Sequence, residues 1–215
     1  AVGGNDTTER KYRFRVVEKL RTLTGLGLAA AEYPMDITQN MDVYVEVSGL
    51  LKALAVNLLK ISNDFRLMNA GPYGGLGEIS LKAMQQGSSI MPGKINPVIP
   101  EMVMQTAMRV CANDTAITMA AGRGEFELNA FGPLMAESIL ESLELMSDTV
   151  RIFREKAVCT LQANKENCVK HLENSYAFAT AYVPVLGYDK VNEIVNTNER
   201  EKAEKILEQE KYERE

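Results

Sequence analysis

The run Gly87-Ser88-Ser89-Ile90-Met91-Pro92-Gly93-Lys94-Ile95-Asn96-Pro97, followed by Glu101, gathers two hydroxyls, a cation, an amide and a carboxylate in one short stretch. Two glycines, Gly87 and Gly93, punctuate it and supply conformational freedom that other residues lack. Pro97 suits the first position of a helix and Asn96 the N-cap before it. The run therefore reads as a loop feeding into a helix N-terminus, with free backbone N–H groups and a positive dipole end beside Lys94. Such a combination favours a carboxylate or phosphate ligand. The same residues also fit a flexible connector in which Asn96 merely caps and Lys94 is solvated.

The elements that must position this loop are helical. A first helix is expected over residues 9–24, stopped by Gly25, with a loop carrying Pro34 over 25–36. Residues 37–69 then form a long periodic segment in which Val43, Val47, Leu50, Leu54, Leu58 and Ile61 recur three and four apart, the spacing of one helical face. A second apolar set, Val45, Leu51, Val56 and Leu59, lies off that stripe, so this helix is expected to be buried on more than one side. Gly71-Pro72-Tyr73-Gly74-Gly75 marks a turn, and polar loop sequence continues to Gln86. A second long helix, rich in Met and Ala, is expected from Pro97 to about residue 121, where Gly122 and Gly124 interrupt it. A third follows Pro133, with Ile139, Leu143, Met146, Val150, Phe153 and Ala157 as a heptad-like seam.

From about residue 163 the pattern shortens to small helices broken by Pro184 and Gly187. Residues 199–215 alternate Glu with Lys and Arg and read as an exposed, fraying charged helix. No segment sustains period-two alternation, so strands should be scarce. The reading is an all-α chain: a long-helix bundle over 1–162 and a small helical region over 163–215. Helices apolar on several sides cannot bury themselves in a three-helix monomer, which predicts an obligate oligomer.

Composition narrows the function further. A net charge of −5 argues against nucleic acid as the main partner. No apolar run approaches a membrane span. The three cysteines, Cys111, Cys159 and Cys168, lack metal-ligand spacing and suit free thiols in a reducing cytoplasm. The chain has one histidine, His171, on a polar segment where it reads as a surface residue. A mechanism needing a histidine base must use it or borrow one.

The loop from Gly87 to Pro97 resembles the most diagnostic motif of the aspartase/fumarase superfamily, Gly-Ser-Ser-x-Met-Pro-x-Lys-x-Asn-Pro, and meets all its fixed positions. The resemblance covers roughly residues 9–195. Ser62-Asn63-Asp64-Phe65-Arg66-Leu67 and Gly71-Pro72 are similar to the family's helix end and turn before the loop. The stretches Asn113-Asp114-Thr115-Ala116-Ile117-Thr118-Met119-Ala120-Ala121 and Asn96-Pro97-Val98-Ile99-Pro100-Glu101 are closer to aspartate ammonia-lyases than to class II fumarases. Phe126-Glu127-Leu128-Asn129 and Gly187-Tyr188-Asp189 suit both groups.

The resemblance implies the family's tetrameric helical core and a reversible anti elimination. A base takes a proton next to a carboxylate, an aci-carboxylate forms, and ammonia or water leaves. Ser88 matches the serine base, whose alkoxide would need stabilisation from loop N–H groups and Lys94. Lys94 and Asn96 match residues that hold the substrate carboxylate and its developing charge. Ser89 matches a contact to the other carboxylate, although it also fits a plain small loop residue. Met91 falls among the substrate-binding positions, and Gly87 and Gly93 match hinges of a loop that closes over substrate. Glu101 matches the carboxylate that pairs with a histidine of a neighbouring subunit, while an acid in a first helical turn is also favoured by the dipole alone.

These matches imply an aspartate ammonia-lyase converting L-aspartate to fumarate, without metal or organic cofactor. The alternatives are a class II fumarate hydratase and a non-catalytic structural protein that keeps the lyase fold. The family assembles each active site from three regions on three subunits, and only the third is present here. The chain by itself is therefore expected to be inactive, its opening at Ala1 in a glycine-containing loop resembling a piece of something longer.

Overall fold

The structure, a computed structural model, describes residues 10–71, 73–85 and 87–213. The opening residues 1–9, which include the Gly3–Thr8 stretch, Pro72 of the expected turn, Gln86, Arg214 and Glu215 lie outside the described residues. The described residues form ten α-helices and one two-stranded sheet, so the all-α expectation holds.

Helix α1 (Arg10–Thr24) ends as expected: Gly25 takes φ +68°, and its N–H donates to the Arg21 carbonyl at 2.9 Å. The segment read as a loop carrying Pro34 instead starts a short helix, α2 (Pro34–Gln39), with proline at its first turn. Asn40 is extended, so the long helix begins later than residue 37, as α3 (Asp42–Met68). Helices α4 (Val98–Ala121) and α5 (Gly132–Lys156) complete the long set. At 24 to 27 residues each, these helices run to roughly 36–40 Å.

Residue pairs set the helix directions. Ser48 and Lys52 near the start of α3 meet Asp114 late in α4, while Arg66 at the end of α3 meets Glu101 at the start of α4. Thr149 late in α5 likewise faces Met102 early in α4, and Asn113 faces Ser138 and Ser142. Both α3 and α5 therefore run antiparallel to α4. The Phe65 and Phe153 rings meet tilted at 48° with centroids 5.3 Å apart, joining α3 to α5 on the third side of the bundle.

The core of this bundle is lined by small and medium residues. Ala55, Ala107, Val110 and Met146 form one cluster with Leu51, Leu58 and Leu59 packed on it. Ile117, Ala120 and Met135 form another, joined by Val45 and Ile139. Two expectations about faces are corrected here. On α3 the off-stripe residues Val45, Leu51 and Leu59 pack inward, whereas Val43, Val47, Leu50, Leu54 and Ile61 of the main stripe are exposed, Leu50 at 74%. On α5 the buried seam is Met135, Ser138, Ser142, Met146, Thr149 and Phe153; Leu143 and Val150 face solvent. Hydroxyl residues win those inner positions because Asn113, Asp114 and Met102 of α4 supply polar or polarizable partners.

The α4–α5 connection is held by Asn129. Its side-chain amide donates to the Ala120 and Ala121 carbonyls at 3.0 and 3.1 Å, and its Oδ1 accepts from Phe131 N–H at 2.9 Å. One buried side chain thus satisfies the end of one long helix and the approach to the next. Beside it Phe126 takes φ +50° and is 91% exposed, an uncommon conformation for a bulky residue.

Residues 67–82 and 161–215 group as a second unit. Its sheet pairs β1 (Ile79–Ser80) antiparallel with β2 (Gln162–Ala163). Five helices follow: α6 (Lys165–Glu173), α7 (Ala177–Thr180), α8 (Val183–Leu186), α9 (Tyr188–Thr197) and α10 (Arg200–Tyr212). Asn164 caps α6 by accepting from Asn167 N–H at 3.3 Å. Pro184 sits in the first turn of α8, and Gly187 at φ +84° makes the corner into α9.

The charged tail departs from its reading. It is helical, but not exposed all round: Ala203 and Leu207 are buried against Ala179, Leu186, Val191 and Ile194. Four residues apart on α10, they present a short apolar face that the dense charges around them obscured. Arg200 over the Phe178 ring, 5.1 Å from its centroid, and a Lys190–Glu210 ion pair fasten the rim.

Candidate active-site loop

The loop between Gly87 and Pro97 is ordered by its own backbone. Lys94 N–H donates to the Met91 carbonyl at 3.2 Å, closing a turn with Pro92 and Gly93 at its centre. Gly93 takes φ +83°, the conformation that the third position of a type II turn demands. A second bond, from Ser88 N–H to the Lys94 carbonyl at 3.2 Å, draws the two ends of the loop together. At that neck a Cβ on Gly87 would stand 2.0 Å from the Lys94 carbonyl oxygen, so no other residue fits without opening it.

Within this frame Ser88 Oγ accepts hydrogen bonds from the N–H groups of Ile90 and Met91, both at 3.1 Å. Two backbone donors converging on one hydroxyl oxygen would stabilise negative charge developing there, as in an oxyanion hole. Ser88 is half-buried, while Ser89, Met91, Lys94 and Asn96 are exposed. Among the described residues no hydrogen bond joins Ser88 Oγ to the Lys94 ammonium or to Glu101. Lys94 stands exposed on the loop with Ser88, and Glu101 lies in the helical turn that follows it.

The helix start is not as the sequence suggested. Asn96 does not cap: α4 begins at Val98, its N-cap is Pro97, and no side chain bonds its first turn. Val98 N–H is taken by the Asn96 carbonyl at 2.9 Å, and Pro100 has no N–H to offer. Two of the first three helical donors are thereby removed, and the amides available for an anion are those inside the loop. Asn96 forfeits the cap because its backbone carbonyl, rather than its side chain, accepts from the helix start.

Glu101 lies in the first turn of α4, as expected. Its Oε1 is 3.7 Å from Arg66 Nε at the end of α3. Arg66 appeared in the sequence only as part of a matching stretch; its position beside Glu101 depends on the antiparallel packing of two helices. His171 also needs correction. It is half-buried on α6, with Nδ1 2.8 Å from Glu78 Oε1, an ion pair or hydrogen bond according to its protonation. The polar sequence around it concealed a partner 93 residues away.

Two further polar clusters tie the long helices together farther along α4. Asp114, buried, accepts from Ser48 Oγ at 2.8 Å and Lys52 Nζ at 2.6 Å, and that hydrogen bond and charge hold the Lys52 ammonium above its ordinary range. Glu141 accepts from Arg109 at 2.9 Å and from Asn113 at 2.7 Å, which together hold its carboxyl below the ordinary glutamate range. Among the described residues no group of three or more His, Cys, Asp or Glu side chains is placed to hold a metal ion. Among the described residues no helix is long and apolar enough to cross a membrane.

A family model described as "Lyase" matches residues 1–112. The chain is 41% identical over 201 residues to fumarate hydratase class II 2 of Pseudomonas aeruginosa, covering 94% of this chain and 44% of that protein. It is 42% identical over 189 residues to the aspartate ammonia-lyase of Bacillus subtilis, covering 88% of this chain and 40% of that one. A solved structure of a Brucella melitensis fumarate lyase:delta crystallin superposes with a TM-score of 0.79 at 43% identity, covering 86% of this chain and 43% of that one. The chain belongs to the lyase family of the aspartase/fumarase superfamily. It spans less than half the length of these relatives, and the two activities stand at nearly equal identity to it.

Proposed function

We propose that the protein carrying this chain is an aspartate ammonia-lyase, eliminating ammonia reversibly from L-aspartate to give fumarate. The observation that carries elimination through a serine base is the pair of loop amides converging on Ser88 Oγ, and the choice of aspartate rests on the likeness of residues 96–101 and 113–121 to aspartate ammonia-lyases. In this reading Ser88, as alkoxide, takes the proton from the carbon next to a carboxylate. The C–H electrons move into the aci-carboxylate, whose extra charge falls to Lys94 and Asn96. Collapse of that intermediate expels ammonia and leaves the fumarate double bond. Ser89 and Met91 contact the remainder of the substrate, and Glu101 orients a histidine supplied by another subunit.

The exposed apolar stripe of α3 supports assembly into a homo-oligomer, a tetramer in this reading, with each site shared between subunits. The other regions of the site must then come from outside this chain, so residues 1–215 alone should show no turnover.

A second reading, a class II fumarate hydratase, is favoured by the 94% coverage of this chain in the match to the Pseudomonas aeruginosa enzyme. The test is fumarate absorbance from L-aspartate and L-malate given separately to the complete polypeptide. Fumarate from aspartate alone is expected. Fumarate from malate alone would replace the first reading with the second, and turnover of neither would remove both.

A further inference from the structure

The end of α3 and the first turn of α4 meet in a polar contact that the loop roles leave unused. Arg66 Nε and Glu101 Oε1 are 3.7 Å apart, close enough for charge attraction but beyond a hydrogen bond. That nitrogen is shielded from solvent and has no hydrogen-bond partner among the described residues, although the side chain as a whole is 41% exposed. The other end of the guanidinium makes a weak contact, Nη1 to Met104 Sδ at 3.8 Å. One turn earlier on α3, Ser62 is fully buried and its hydroxyl also lacks a partner among the described residues. Two unsatisfied buried polar atoms four residues apart on one helix, one of them 3.7 Å from a carboxylate, are rare in a packed interior and need a reason.

Glu101 is the acceptor within reach. An approach of about 0.8 Å would turn the ion pair into a charge-assisted hydrogen bond of ordinary length. We propose that Arg66 is a positioning residue that acts through Glu101. Its buried Nε–H draws one carboxylate oxygen back toward α3, which leaves the other aimed outward to orient an imidazole. A carboxylate that orients a histidine must itself be held, since a freely rotating one cannot fix the ring or its tautomer. Ser62, behind Arg66, is the buried hydroxyl nearest in sequence and lies on the same helical face. The proposal rests on the reading of Glu101 as the carboxylate of the site.

The bland alternative is an inter-helix ion pair at a partly exposed position, which contributes little and nothing to turnover. A double-mutant cycle separates the two. In the complete lyase polypeptide, Arg66→Met should lower kcat roughly tenfold to a hundredfold with KM nearly unchanged, and Arg66→Lys should recover most of the loss. In a Glu101→Gln background, Arg66→Met should cost nothing further. Additive losses, or an unchanged kcat in Arg66→Met beside a reduced one in Glu101→Gln, would overturn the proposal alone. An unchanged kcat in Glu101→Gln would instead remove the role assigned to Glu101, and the proposal with it.

A second measurement needs no turnover and uses this chain itself. The Arg66 Nε–H resonance in a 15N-edited spectrum should move on Glu101→Gln and stay in place on Asp64→Asn. A resonance indifferent to Glu101 would overturn the contact on which the positioning depends.

Discussion

At the scale of single residues, the backbone decides what Ser88 can do. Its oxygen is held by two amides that belong to the same loop, so the arrangement travels with the loop and does not depend on the helix behind it. Gly87 has a sharper role than freedom of rotation: it is the place where the Lys94 carbonyl passes too close for any Cβ. Gly87→Ala should therefore part the neck, misplace Ser88 and lower kcat of the complete enzyme by about a hundredfold or more. The melting temperature should stay nearly constant, because the loop is exposed. Retention of full activity in Gly87→Ala would show that the neck is irrelevant to turnover. The motif was legible in the sequence because its geometry is local. Asn96 as a cap was a sound local inference that failed, since Pro97 and Pro100 shift the helix start and deprive it of donors.

At the scale of elements, polar pairs set the register of the long helices. Glu141 on α5 is tied to Arg109 and Asn113 on α4. Arg109 and then Asn113 lower its affinity for a proton in the folded state. The unfolded chain thus binds that proton at higher pH than the folded one, and the bond stabilises the bundle above the ordinary glutamate range. The stabilisation is lost as pH falls through the lowered folded value. The gap in melting temperature between the natural chain and Glu141→Gln should accordingly be widest near neutrality and close in acid. A gap independent of pH would contradict the pairing.

The tail offers a second element-scale test. If α10 is docked through Leu207, Leu207→Ala should cost about 2–5 kcal/mol of the stability of the second unit. Denaturant unfolding followed by circular dichroism measures it, and a cost near zero would mean that α10 is not packed. The helical character of this tail was readable from its charge alternation. Its burial was not, because only a few apolar positions, Ala203, Ile206 and Leu207, carry the contact among dense charges.

At the scale of the whole molecule, the exposed stripe of α3 is the dominant feature. Leu50 at 74% exposure sits among Val43, Val47 and Leu54, all outward-facing, a patch of the kind that marks an interface. Leu50→Glu should shift the sedimentation profile of the chain toward monomer while helicity by circular dichroism is kept. A natural chain that sediments as a monomer at micromolar concentration would remove the case for self-association through this face.

By itself the sequence determined the helical class, the ends of the long helices near Gly25, Gly122 and Pro133, and the loop that carries Ser88, Lys94 and Asn96. Each of these is written in neighbouring residues, through periodicity, a stop signal or a turn dipeptide. Tertiary structure decided which of several apolar faces turned inward, because a helix apolar on more than one side has no local preference among them. It also brought Arg66 to Glu101, Ser48 and Lys52 to Asp114, and Glu78 to His171. These partners are far apart along the chain, and only the packing of whole helices, or of a helix on a returning segment, could select them.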